Sequence, residues 1–444
     1  MNDYYIERKI HMIQSAVVPA LLCLLLLAAG YMLVPSDKHK KIYLILAFIG
    51  ILLRIAAVLY LYAEGTGSVG TDGLLYHKAG IWISSQLDRG IPLFKVKYAY
   101  TWYTVIVGLV YNTFGVNRYI VSYINIALAF FSAILLLRIA LTHNYKFTNA
   151  SFISLSFFFF PNIILWTSDS RKEALTIFIC IFCIYIMQRY IICEASPIEQ
   201  NQQKAKNRAA SFISIVSVCI LMWLCTLIRI YMFVPIAAGV LISLFLIYRK
   251  NKMKIYLVFG LTVIISSLLI FFLTVNPLLE NYHAIMFPDE IGDFGVDIAN
   301  KVEKIKLLAS NRNILASAAN YFLLPYPGNT GIEEISGSTI LNIIVSIDML
   351  SWYVCMLLIA AGIFYSVKNK ESLLLGILAF LIIYIVINIL VVENVSDTIY
   401  RYRSVIIGPA LMFIDWRVIA GLKEHFIKIF RRHRENESNS ISIS

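Results

Sequence analysis

The chain has 444 residues, of which 59% are hydrophobic and only 14% charged, with a formal net charge of +12. A soluble domain carries roughly 25% charged residues, so this composition excludes a water-soluble globule of the same length. The excess of lysine and arginine does not point to nucleic acid, because the basic residues gather beside the ends of apolar blocks.

Those blocks are Ile13–Val34, Ile42–Tyr62, Tyr119–Leu141, Ala150–Leu165, Ala174–Cys193, Ser211–Phe233, Val234–Tyr248, Ile255–Val275, Thr339–Tyr365, Leu373–Val392 and Ser404–Leu422. Most approach or exceed the ~17–25 residues that cross a bilayer core of about 30 Å. In hydrocarbon each backbone N–H and C=O must be paired within its own segment, so the blocks are expected to be helices. A membrane β-barrel would show alternation over ~10-residue segments instead. The expected fold class is therefore an all-α integral membrane protein with about eleven transmembrane helices. The first block is too long for a removable signal peptide and lacks a small-residue cleavage site.

Taken in chain order with the N-terminus outside, the inner loops hold Lys38, Lys40 and Lys41, then Arg138 and Lys146, then Lys204, Lys206 and Arg208. Arg249, Lys250, Lys252 and Lys254 follow, then Lys368 and Lys370, then a basic tail over 423–444 that reads as disordered. Cytoplasmic loops are enriched in lysine and arginine, so the sequence predicts N-out and C-in; Arg8 and Lys9, beside Asp3 and Glu7, are the dissenting pair. Two long outer segments result, 63–118 and 276–338, both of mixed composition and expected to be folded caps. Within the first, Tyr98–Phe114 carries Tyr98, Tyr100, Trp102, Tyr103 and Tyr111. It reads as a helix lying at the interface, where amphipathic rings settle. The seven cysteines all lie in or at the ends of apolar blocks, so no disulfide framework is visible, and the CxxC spacing of Cys180 and Cys183 reads as packing.

Three polar clusters carry the chemistry, all on the expected outer face. In the first outer loop, Asp72 stands on a glycine-flanked turn, followed by Tyr76 and His77 on what looks like the start of a helix. A carboxylate there can take a proton from an acceptor hydroxyl or bind a divalent cation; as a helix cap or turn residue it would do neither. The second cluster, Asp169, Arg171, Lys172 and Glu173, lies between two spans, where ionisable groups are costly unless paired or used. Its bland alternative is salt-bridged capping of the next helix. The third is Asp397-Thr-Ile-Tyr400-Arg401-Tyr402-Arg403. Arg401 and Arg403 can grip phosphate with paired donors, or merely snorkel to the interface. Arg229 near an outer span end suits an acid partner, and Arg54 in mid-span must face the bundle interior.

The order of these features resembles the GT-C class of polytopic glycosyltransferases, the group that includes protein O-mannosyltransferases and aminoarabinose transferases. The resemblance is carried by Gly70-Thr-Asp72-Gly with Tyr76, by the interfacial helix ending in Phe114-Gly-Val-Asn-Arg118, and by Phe160-Pro161 through Trp166 to Lys172-Glu173. Tyr400-Arg-Tyr-Arg403 and Pro409 complete it, and it covers roughly residues 42 to 422 of a single domain spanning 1–422. It implies an enzyme of the inner (plasma) membrane that moves a sugar from a polyprenyl-phosphate donor to a lipid-linked, glycan or protein acceptor at the outer face. Asp72 would be the general base. Arg401 and Arg403 would bind the donor phosphate, with Tyr76, His77, Asp169, Arg171, Lys172, Glu173 and Arg229 shaping the substrate site. No cofactor follows with certainty, though a divalent cation remains compatible. An extra span before the acidic loop, and Gly73 where some relatives carry a second acid, depart from the pattern. A polysaccharide polymerase or ligase is the enzymatic alternative, and a lipid-linked oligosaccharide flippase the transport alternative; the second would need a polar path that the spans show little of.

Overall fold

A computed structural model describes residues 2–63, 71–96, 102–195, 216–229, 232–251, 314–328, 338–368, 372–391 and 396–414, with side chains from Val17 onward. Among them every element is helical. We number the helices α1 (Asn2–Leu33), α2 (Lys40–Ala63), α3 (Thr71–Asp88), α4 (Trp102–Phe114), α5 (Arg118–Thr142), α6 (Phe147–Phe159), α7 (Pro161–Ser168) and α8 (Glu173–Ala195). Then come α9 (Val216–Ile228), α10 (Phe233–Asn251), α11 (Ile314–Leu323), α12 (Thr339–Lys368), α13 (Ser372–Val391) and α14 (Ser396–Leu411).

Three of these, α2, α5 and α12, are long and apolar enough to cross a membrane, and α6 with α7 makes a fourth candidate if taken as one broken span. Shorter apolar helices cover Val17–Leu33, Val216–Ile228, Phe233–Ser243, Ile314–Leu323 and Leu374–Leu390. The expectation of about eleven full spans is thus met only in part, and the expected block Ile255–Val275 lies outside the described residues, as do the tail and most of 276–338. Leucines and isoleucines stand exposed along α1, α2 and α12, among them Leu24, Ile45 and Leu357. Such apolar faces suit lipid rather than water.

The block expected as one helix over Ala150–Leu165 is broken instead, with a 55° bend between α6 and α7. Pro161 causes it: proline has no N–H to give, and it pushes the residue before it into extended backbone. Phe160 indeed sits at φ −63°, ψ 123°. The backbone groups released at the break find charged partners from two other helices. Arg54 of α2 donates through Nη2 to the Phe158 carbonyl at 2.7 Å, through Nη1 to the Gly50 carbonyl at 3.1 Å, and through Nε to Thr167 Oγ1 at 3.0 Å. On the other side the Asn162 N–H donates to Asp348 Oδ1 of α12 at 2.7 Å. A cation therefore closes the carbonyl end of α6 and an anion the amide end of α7, each where the helix dipole favours it. Arg54 does face the interior, as its mid-span position required.

Two ends of the bundle are distinguishable. At one, Tyr62 of α2 stacks on Tyr119 of α5 with ring centroids 3.7 Å apart, and Tyr60 shares a 2.8 Å hydrogen bond with Ser338. At the other, Arg138 donates to the Leu33 carbonyl at 2.5 and 3.1 Å, and Gln188 bonds His143 at 2.9 Å. Over the first end lies a helical hairpin of α3 and α4. The two helices cross where both carry glycine: a Cβ on Gly80 would stand 2.5 Å from Val107 Cγ1, and one on Gly108 would run into Ile83. Within the expected interfacial segment the structure describes Trp102–Phe114 as helix and leaves Tyr98 and Tyr100 outside the described residues. The hairpin is fixed to the bundle by the Tyr103 hydroxyl, which donates to the carbonyls of Ser170 and Arg171 at 3.0 and 2.9 Å.

Candidate functional site

The hairpin brings the first cluster onto the other two. Asp72, the second residue of α3, is in the first helical turn rather than on a free turn before it. Its Oδ2 lies 2.5 Å from Arg401 Nη1, across 329 residues of sequence. Arg401 Nε in turn stands 3.7 Å from Glu173 Oε1. Glu173 opens α8, where its charge meets the helix N-terminus, and it also takes a short, buried ion pair from Arg229. Lys172 completes the group, with Nζ 5.8 Å from the centroid of the Tyr76 ring. Tyr402 offers its ring to both arginines, at 4.6 Å from Arg229 and 5.4 Å from Arg401.

Behind this front the loop 169–172 is held rigid. Arg171 Nε pairs with Asp169 Oδ2 at 3.1 Å and its guanidinium lies 5.2 Å from the Trp166 ring. Asp169 Oδ1 accepts the Ser170 N–H at 2.6 Å. Asn125 of α5 donates to the carbonyls of Asp169 and Arg171 at 2.6 and 2.8 Å. Arg171 and Asp169 are almost fully buried, with 1% and 0% side-chain exposure, whereas Arg401 and Asp72 keep 14% and 22%. The inner pair frames the site, and the outer pair is what a ligand can reach.

The charges set each other's titration. Burial opposes ionisation of Asp72, but Arg401, Arg171, Lys172 and the Arg401 hydrogen bond outweigh it and hold its pKa below the ordinary carboxylate value. Glu173 behaves alike, with Arg229 the leading cation against its burial. Lys172 is lowered to about 8 by burial and by repulsion from Arg229 and Arg401, only partly offset by Glu173 and Asp72. Arg401 stays firmly protonated: burial acts against it, and Glu173, Tyr402 and Asp72 more than compensate. Arg401 Nε, beyond its 3.7 Å approach to Glu173 Oε1, and Glu173 Oε2 are buried without a hydrogen-bond partner among the described residues. Among the described residues no group of three or more His, Cys, Asp or Glu side chains comes together to hold a metal.

Two expected site residues stand elsewhere. Arg403 is fully buried and turned away from Arg401: it donates to the carbonyls of Tyr321, at 2.6 Å, and Leu324, and lies 5.2 Å from the Trp352 ring. The expectation that both arginines grip one phosphate is corrected by helix geometry, since residues two apart point to opposite faces and α14 begins at Ser396, ahead of both. His77 faces Tyr111 of α4, Nδ1 to hydroxyl 2.8 Å, and not the Arg401 cluster. Tyr76, buried beside Tyr103, walls the site below Lys172. Asn125 escapes the sequence reading, in which Tyr103 is only an interfacial ring and Tyr402 only a ring interleaved with the arginines. Asn125 had a signal, because a carboxamide inside an apolar span needs partners.

No family model, no curated protein and no solved structure matches this chain.

Proposed function

We propose that the chain is a membrane glycosyltransferase that moves a sugar from a polyprenyl-phosphate donor to an acceptor hydroxyl at the outer membrane face. What supports the reading is that Asp72, Lys172–Glu173 and Arg401, three clusters far apart in sequence, converge with one partly open carboxylate against one partly open guanidinium. The bundle end bearing them is opposite the one bearing Arg138, beside which Lys40 donates to the Tyr31 carbonyl. By the positive-inside tendency that basic end is cytoplasmic and the site is external.

Arg171, Lys172, Arg229 and Arg401 face Asp72, Asp169 and Glu173, so the cluster has one positive charge more than negative. A phosphodiester-linked sugar, with one negative charge, balances that excess; a pyrophosphate would overshoot it. In the reaction the acceptor oxygen attacks the anomeric carbon, the bond from that carbon to the phosphate oxygen breaks, and the polyprenyl phosphate leaves with the electron pair. Arg401 and Lys172 stabilise the charge that grows on it. A donor phosphate competes with Asp72 for Arg401, and removing that cation raises the carboxylate's pKa. Asp72 is thereby released to take the acceptor's proton as donor binds.

The test is to reconstitute the purified chain in vesicles with isotope-labelled polyprenyl-phosphate sugars and follow label leaving the lipid. Consumption of a monophosphate donor, dependent on the chain, is expected. Consumption of a lipid pyrophosphate substrate alone would favour the polymerase or ligase instead.

A further inference from the structure

A second polar group at the outer end of the bundle plays no part in the cluster around Arg401. Arg118 is the first residue of α5, after the N-cap Asn117, whose side chain accepts the Tyr119 N–H at 2.9 Å. Its guanidinium carbon stands 5.8 Å from the Tyr62 ring centroid. Tyr62 is stacked on Tyr119, and Tyr119 on Tyr123 at 6.3 Å, which makes a ladder of half-parallel rings beside the cation. On the far side lies the His77–Tyr111 pair, close enough that Arg118, after burial, helps lower the His77 pKa to about 4. His77 is therefore neutral at physiological pH, and no carboxylate among the described residues is paired with Arg118. Among the described residues its Nε and Nη2, shut off from water, find no acceptor.

Two donors of a cation buried without an acceptor are costly, and an anion is what such a pair lacks. The chemistry around it narrows the choice. The fork of a guanidinium matches a planar or tetrahedral oxyanion, and the tyrosines present ring edges to it, because the faces of Tyr62 and Tyr119 cover each other. The N-terminus of α5 adds its dipole in the same sense. Arg118 and Asn125, which anchors the loop 169–172, are seven residues apart on α5, so the two sites are separated by ~10 Å at ~1.5 Å per residue.

We propose that Arg118, Tyr62, Tyr119, Tyr111 and His77 form a second binding site, for an anionic sugar whose carboxylate or phosphate lies on Arg118 and whose ring lies against the edges of the tyrosines. This site needs no transfer activity and stands or falls apart from the reaction proposed above. The experiment titrates glucuronate, glucose 6-phosphate and glucose into the purified full-length chain by calorimetry. At least one acidic sugar should bind ~10-fold or more tighter than glucose, as charge-assisted hydrogen bonds require. Arg118→Gln should abolish the difference, and Arg118→Lys should keep part of it. Preference for glucuronate assigns a carboxylate and preference for glucose 6-phosphate a phosphate. On the unaltered chain, the bound acidic sugar should slow phenylglyoxal modification of Arg118, read by peptide mass. Equal binding of all three sugars, unprotected Arg118, or a preference that survives Arg118→Gln and disappears in Arg401→Gln would overturn the proposal.

Discussion

Arg401 holds Asp72 at 2.5 Å and reaches Glu173 at 3.7 Å, so one guanidinium joins the cap over the bundle to the helix beneath it. That position lets Arg401 bind the hairpin of α3 and α4 in place, and its partly exposed guanidinium is where the proposed donor phosphate would compete with Asp72. Arg403, two residues on, does neither, because it is fully buried, with Nη2 on the carbonyls of Tyr321 and Leu324 and Nη1 on Met349 Sδ.

The two arginines should therefore fail differently. Arg401→Gln is expected to weaken donor phosphate binding by ~10-fold or more while Arg401→Lys keeps part of it, because charged donors make the strong phosphate contacts. Arg403→Gln should instead lower thermal stability, since carbonyls buried without donors cost ~1–3 kcal/mol each, with donor affinity unchanged in the protein that folds. Titrating a polyprenyl phosphate while recording melting temperatures separates them. Loss of affinity without loss of stability in Arg403→Gln would contradict the assignment.

Lys172 makes a pH prediction. With its pKa lowered to about 8, its charge is complete below about pH 7 and is lost as pH rises through 8. Donor affinity should follow the same course, flat on the acid side and falling above pH 8, and the Arg variant should extend the plateau because guanidinium does not deprotonate there. An alkaline fall that is identical in wild type and Lys172→Arg would remove Lys172 from the phosphate site.

The break at Pro161 should be where the bundle is least tolerant. Arg54→Met removes the donors to the Phe158 and Gly50 carbonyls and to Thr167. We expect a loss of roughly 2–5 kcal/mol, the range for buried polar groups left without partners. A melting temperature equal to wild type would mean that the break is closed some other way.

Sidedness follows from the bundle's two ends. Cysteine at Arg89, on the exposed turn after α3, should react with an impermeant maleimide on intact cells, and cysteine at Lys146, beside the Arg138 end, should not. The reverse pattern would invert the bundle and place the site in the cytoplasm.

Much of the site was legible as local excess. Charged residues crowded at 169–173 and 401–403 in an apolar chain cannot lie idle, and the acid in the first long loop was visible as an isolated carboxylate among glycines. Who pairs with whom was not. Glu173 takes Arg229, 56 residues away, and Asp72 takes Arg401, across 329, and such closures are set by packing of helices with little periodicity to read. The fate of Arg403 was open to reason, because a helix that starts ahead of Arg401 must turn these two arginines apart; starting the last span at Ser404 hid it. Likewise Pro161 advertises the break in the fourth apolar block, but the partners that close it, Arg54 and Asp348, come from helices remote in the chain.

If Asp72 takes the acceptor's proton, single-turnover sugar transfer by Asp72→Asn at saturating polyprenyl-phosphate sugar measures it directly. Asparagine keeps the size and can still accept a hydrogen bond from Arg401, but its amide cannot take the proton. Because Asp72 lies within the first turn of α3, asparagine gives up only the charge's interaction with the helix dipole, ~0.3–1 kcal/mol, so α3 should persist and donor binding be retained. Transfer should be slower by ~100-fold or more at equal donor occupancy. Transfer at the wild-type rate would contradict it, and would leave Asp72 as no more than the anchor that Arg401 uses to hold the cap.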